Sequence, residues 1–221
     1  MSELQKGIEY MQEHKFEEAA QAFNNYIEEN PEDPVGYINF ANLLVHLNEY
    51  DSAERFYRKS LDLEETPAAH YGLGNLYFEQ DQFAEATKQF QEAMKQGLDD
   101  QDLYFMLGMS LLNQEMPKLA LPYMQRASEI SPKDVDIQFQ YGLTLAYANM
   151  IDQALEQMNK VLSLDDHHSD AYYNKGVCYL YQEKPNDALV QFEQALAIQP
   201  DHLLAGNGKK QVEQLLRDQD S

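Results

Sequence analysis

The sequence predicts an all-α chain of six stacked helical hairpins followed by one further helix, and three observations carry that prediction. First, residues 169 to 202 hold two helical patterns, Ala171 to Gln182 and Pro185 to Gln199, around the polar break Glu183-Lys184-Pro185-Asn186. Pro185 suits a first helical turn, where its missing N–H would be unpaired anyway. A 34-residue hairpin of this kind is too small to bury its own apolar faces. Second, moving back in steps of 34 carries Gly176 onto Gly142, Gly108 and Gly74; a step of 33 then gives Ala41 and a last step of 34 gives Gly7. Third, the same steps carry Ala188 onto Ala154, Ala120, Ala86, Ala53 and Ala19 without exception, and Phe192 onto Met158, Met124, Phe90, Tyr57 and Phe23. Self-similarity at a fixed period marks a repeat architecture.

The small residues need a reason. A glycine inside a helix costs roughly 0.5–1 kcal/mol relative to alanine, so five together cost about 2.5–5 kcal/mol. A small residue on the first helix of each hairpin facing a strict alanine on the second lets two backbones approach closely, with bulky residues interlocking above and below. In order, the predicted repeats are 1–33, 34–66, 67–100, 101–134, 135–168 and 169–202, within one domain spanning 1–221. Repeat one places its second helix from about Lys15-Phe16 to before Pro31. Repeat two places helices at Val35 to His46 and Asp51 to Leu63 and is one residue short. Repeat three ends at Gly97, a plausible helix stop. Repeat four carries Pro122 about a turn into its second helix, where a local distortion is expected. Repeat five ends in Asp165-Asp166-His167-His168, and repeat six follows. Residues 203–218 read as a capping helix with an apolar stripe of Ala205, Val212, Leu215 and Leu216; Gly206 and Gly208 predict a weak start.

The chain carries 38 acidic against 16 basic residues, a formal charge of −22. Nucleic acid is therefore not an expected ligand, because phosphate binding needs Lys and Arg clusters. An anionic membrane surface is disfavoured for the same reason. The acidity either serves solubility or speeds encounter with a basic partner. Cys178 is the single cysteine, so no internal disulfide is possible, which fits a reducing compartment. The first residues show no signal-peptide h-region, and no stretch approaches the roughly 20 apolar residues of a membrane span. The expected location is the cytoplasm.

The pattern resembles the tetratricopeptide repeat (TPR): a small residue midway in helix A, Tyr or Leu three residues on, then Ala, an aromatic, Ala and Pro in helix B. Repeat six carries it most fully, with Tyr172, Gly176, Tyr179, Ala188, Phe192, Ala195 and Pro200. The usual Trp or Tyr early in helix A is replaced by Glu3, His70 and Gln138 in repeats one, three and five, which puts local packing there in question. The whole resembles small six-repeat bacterial members of the family. The resemblance implies a right-handed superhelix, or α-solenoid, whose helices A line a concave groove that binds peptide segments of partner proteins.

Helical spacing predicts which side chains face that groove. They are Ile38, Asn39, Asn42 and His46 in repeat two; Tyr71, Asn75 and Phe78 in repeat three; and Phe105 and Met109 in repeat four. Repeat five adds Phe139, Leu143 and Tyr147, and repeat six adds Tyr173, Asn174, Val177 and Tyr181. Tyr71, Phe105, Phe139 and Tyr173 share one register. These rings either pack against the adjacent helix A or form an exposed ladder; a second stripe on each helix A is available for the core, which favours the ladder. The asparagines either form a wet polar face or hold an extended chain by its backbone. The stripe holds no Lys or Arg, so no clamp for an acidic C-terminal carboxylate is expected. Asp102, Asp136 and Asp170 recur near helix N-termini; they complement the helix dipole or form an acidic groove edge.

No phosphate loop, nucleophile elbow or H-E-x-x-H occurs, so no catalytic residue and no cofactor is expected. His167 and His168 lie among Asp165, Asp166 and Asp170, but adjacent residues rarely converge on one ion, and no metal is expected. Cys178 aligns with Ser110 and Thr144 and reads as a packing residue. The expected function is a non-enzymatic scaffold or adaptor that binds a partner segment, apolar or aromatic with basic or neutral character. The alternative is a peptide-sensing regulator whose superhelix pitch changes on binding; such receptors usually carry an effector domain, and none is visible.

Overall fold

The computed structural model describes residues 1–219, and among these all regular structure is α-helical. The helices group into two compact units, Met1–Gln114 and Glu115–Ser221. The N-terminal unit holds α1 (Glu3–Gln12), α2 (Phe16–Glu29), α3 (Pro34–His46), α4 (Tyr50–Leu63), α5 (Pro67–Glu79), α6 (Phe83–Lys95) and α7 (Gln101–Asn113). The C-terminal unit holds α8 (Pro117–Ile130), α9 (Val135–Tyr147), α10 (Ile151–Leu164), α11 (Ser169–Tyr181), α12 (Pro185–Ile198) and α13 (Leu203–Gln219). Within each unit every helix packs on the next in sequence, and some odd-numbered helices also touch each other directly: α3 touches α1 and α5, α5 touches α7, and α9 touches α11. The order along the chain is six helix–turn–helix repeats and a final helix.

Each kind of helix start has its own chemistry. Helices A are capped by a side chain that accepts an N–H of the first turn. The acceptors are Ser2, Asp33, Thr66, Asp100, Asp134 and His168, and His202 does the same for Ala205 of α13. Helices B have no such cap. They follow a residue in the left-handed region: His14, Asn48, Asp81, Glu115, Asn149 and Glu183. In the turn after α3, for example, Glu49 N–H reaches back to the Leu44 carbonyl at 2.8 Å, closing the end of helix A through the backbone alone. Gly97 has φ +97° just after α6, so the expected stop is there.

The core explains the small residues more sharply than backbone approach does. The alanines at positions 19, 53, 86, 120, 154 and 188 are fully buried. What fills the space at the small position is the bulky residue of helix B, four residues beyond that alanine. A Cβ built on Gly74 would lie 2.4 Å from the Phe90 ring, one on Gly7 2.4 Å from Phe23, and one on Gly176 2.6 Å from Phe192. The ring and the glycine are therefore one packing unit.

Two segments with expected local perturbations are helical throughout. α8 runs unbroken through Pro122, which sits on the exposed side, where the carbonyl it leaves unpaired can meet water. α13 forms from Leu203 through both glycines, because His202 caps it and Gly208 lies against the Phe192 ring. Of its expected apolar stripe, Ala205 and Val212 are buried and Leu216 is half-buried, but Leu215 is 45% exposed. The unusual Gln138 is fully buried and satisfied. Its Nε2 donates to the carbonyls of Ser128 (2.8 Å) and Ser131 (3.0 Å), and its Oε1 accepts from Gln157 Nε2 at 2.7 Å.

Candidate interaction surface

In the N-terminal unit the predicted surface is partly consumed by packing. Ile38 is only 8% exposed and belongs to the core. This corrects its assignment to the open face: α3 is touched by both α1 and α5, and a short aliphatic chain is covered where a ring at the same register reaches past. Tyr71 is half-buried with its ring 5.6 Å from that of Phe90. Burial pushes its phenol above the ordinary value, against a smaller downward pull from the neighbouring Asn75. Phe78 meets Phe83 edge-on at 5.3 Å, and Phe105 and Met109 are half-buried. His46 is exposed, its ring 4.8 Å from Phe16.

The amides divide by partner. Asn39 Nδ2 donates to the Val35 carbonyl at 2.9 Å and Asn174 Nδ2 to the Asp170 carbonyl at 2.8 Å, so both spend a donor on their own helix. Asn42 is exposed and accepts the Tyr57 hydroxyl proton at Oδ1, a bond that uses its oxygen and not its N–H groups. Asn75 stands at the same register one repeat on, and its Oδ1 is buried without a hydrogen-bond partner.

In the C-terminal unit Phe139 and Leu143 lie half-buried against the cluster of Met158, Val161 and Ala171. Tyr173 and Val177 lie likewise against Ala188, Phe192 and Val212. Phe139 rests 4.5 Å from the His168 ring and Tyr173 5.4 Å from that of His202, so two helix-capping histidines buttress two rings of the ladder. Tyr147 and Tyr181, 34 residues apart, are 66% and 69% exposed.

Three tetratricopeptide repeat family models match residues 10–66, 71–135 and 169–202. The crystal structure of YrrB, reported as a TPR protein with an unusual peptide-binding site, superposes with TM-score 0.83 at 47% identity, over 87% of this chain and 100% of that one. The chain belongs to the tetratricopeptide repeat family. The TPR repeat-containing protein YrrB of Bacillus subtilis (strain 168) is 58% identical over 41 residues, 19% of this chain and 20% of that protein. The crystal structure of MamA, at 20% identity and TM-score 0.71 over 76% of this chain and 92% of that one, shares the fold. TPR repeats and the likeness to YrrB make this chain a protein–protein interaction scaffold.

The TPR register shows what the sequence reading missed. All four rings are half-buried, with Tyr71 against Phe90, Phe139 against His168, and Tyr173 against Phe192 and His202. Leu215 stands one repeat beyond Tyr181 and Tyr147 in the same register, a signal obscured by its neighbour Leu216. Cys178 is buried at 2% exposure, and burial pushes its thiol up to about 11, which suits packing and not nucleophilic chemistry. Asp165, Asp166 and His167 do bring one potential ligand atom each within 4.8 Å of the others, although they are adjacent in sequence. His168 is turned away from them to cap α11. Among the described residues no helix is long and apolar enough to cross a membrane.

Proposed function

We propose that the open faces of the helices A hold a peptide or helix from a partner protein, by half-buried rings and by amides that engage its main chain. The observation that carries this reading is the pair Asn42 and Asn75. A peptide unit offers one N–H and one C=O. Asn42 has its oxygen occupied by Tyr57 and its N–H groups to give; Asn75 has an oxygen with nothing bonded to it. A buried acceptor left unpaired costs about 1–3 kcal/mol. Rotating the Asn75 side chain toward a ligand N–H breaks no hydrogen bond at that oxygen. α3 and α5, which carry the two amides, touch directly. Tyr71, Phe78 and Phe105 then supply apolar anchors, and the acidic chain favours a partner of basic or neutral character.

Selection from a random-peptide display library tests the reading. Binders should emerge against the wild-type chain. Their affinity should fall about two- to tenfold for Asn42→Ala and for Asn75→Ala, as expected for one hydrogen bond each, with helicity retained. A library that yields no binder, or binders indifferent to both substitutions, removes the main-chain reading.

A further inference from the structure

We propose that Tyr147, Tyr181 and Leu215 form a separate subsite within the C-terminal unit, for a basic segment in polyproline-II conformation. The proposal rests on the peptide-binding reading above and adds the location, charge and conformation of the ligand. All three side chains occupy one register at 34-residue intervals, and all three are exposed. At the same register the N-terminal unit has Gln12, His46, Glu79 and Asn113, exposed and polar. The last helix is thus more than a cap, since Leu215 extends the apolar column onto it.

The charge of the occupant follows from the helix ends. Tyr147 and Tyr181 are the last residues of α9 and α11, where the helix dipole places roughly half a negative charge. Neither helix has a basic residue in its last turn to offset it. Lys184, the nearest lysine along the chain to Tyr181, directs its ammonium to Gln182 at 3.0 Å. An exposed tyrosine ring on the last residue of a helix adds its quadrupole to the negative helix end in attracting a Lys or Arg. The conformation follows from spacing. α9 and α11 touch, and helices packed side by side stand roughly 8–10 Å apart. A polyproline-II chain repeats every three residues over about 9 Å, with its side chains at i, i+3 and i+6 on one face. Two cations three residues apart therefore fit the spacing of Tyr147 and Tyr181, and α13, which packs on α12, carries Leu215 one 34-residue step on for an apolar side chain that follows them.

The chain has no tryptophan, so a tryptophan-tagged peptide is the only indole in a fluorescence titration. The probe is a ten-residue proline-rich peptide with arginines at i and i+3 and leucine at i+6, made in both chain directions. At least one direction should bind. Tyr147→Ala and Tyr181→Ala should each weaken it about two- to fivefold and Leu215→Ala about fivefold, while Tyr147→Phe keeps the ring and the affinity. A peptide with arginines at i and i+2 should bind about two- to fivefold more weakly, and one with glutamates in place of both arginines at least tenfold more weakly. Equal binding of the mis-spaced peptide, or indifference to all three alanine variants, overturns the proposal. If neither direction of the probe binds while library-selected peptides do, the subsite falls and the peptide-binding reading stands; if neither class binds, both fall.

Discussion

At the last turn of its helices A, the N-terminal unit presents Gln12, His46, Glu79 and Asn113, whereas the C-terminal unit presents Tyr147, Tyr181 and, one repeat on, Leu215. Beneath that difference the interiors agree. The alanine of helix B is fully buried in both units, and so is the bulky residue four positions later, whether Phe23, Tyr57 and Phe90 or Met124, Met158 and Phe192. A buried position in a repeat is tied to its neighbours by contacts on every side, so it keeps its size. An open position has no such tie and can change polarity without disturbing the stack. The acidic excess is also uneven: 22 acidic and 7 basic residues in 1–114, against 16 and 9 in 115–221. The less acidic unit therefore carries the more apolar open column, which argues that this column has a use of its own.

The comparison breaks first at the position where repeats three and five lack an aromatic. His70 meets Gln89 at 2.9 Å, while Gln138 sits in a fully buried network with Gln157 and two backbone carbonyls. Gln138→Ala opens a cavity and orphans those groups, so a loss of roughly 3–4 kcal/mol is expected in urea unfolding. His70→Ala should cost less, because its Glu65 contact lies at the solvent edge. The second difference is a thiol that only the C-terminal unit has. Burial raises Cys178 to about 11, so the folded form favours the neutral thiol. That stabilisation is complete below the unfolded thiol's value near 9 and is lost as pH rises through about 11. Up to about 2 kcal/mol should disappear over this window, and Cys178→Ala should remove that part of the pH dependence.

A third test concerns what fills the glycine. The rigid Phe90 ring stands 2.4 Å from a Cβ on Gly74, while the flexible end of Met158 stands 2.7 Å from one on Gly142. Gly74→Ala should destabilise by about 1–2 kcal/mol in thermal unfolding. Gly142→Ala should cost less, up to about 1 kcal/mol, since the thioether can move aside and alanine is the better helix former, while Gln157 Cγ at 3.2 Å is held by its bonds to Gln138. The smallest effect sharpens the contrast of open faces. Tyr147→Ala and Tyr181→Ala should each change stability by less than about 0.5 kcal/mol, and Tyr71→Ala by about 1 kcal/mol or more, because its ring is half-buried on Phe90.

Much of this was legible in the chain itself. The unbroken alanine column and the recurring glycine announce the hairpin stack because burial constrains their size. Helix boundaries came within a few residues because proline, glycine and capping side chains mark them chemically. The open face was harder to read. Spacing tells which way a side chain starts from the helix, not whether a neighbouring helix covers it, so Ile38 and Tyr71 share a register and differ in exposure. Leu215 is hard to place for the converse reason: beside Leu216 it reads as core, and only the packing of Ala205 and Val212 shows which leucine turns outward. The Asn42–Tyr57 bond joins residues on different helices and has no local signature.

The central claim is that the open faces of the helices A are the working surface. Backbone amide shift mapping with a library-selected peptide tests it most directly. The account predicts that the perturbed amides cluster on the helices A, around Asn42 and Asn75 or around Tyr147, Tyr181 and Leu215. Perturbations concentrated instead on the exposed sides of α4, α6, α10 and α12 would contradict it.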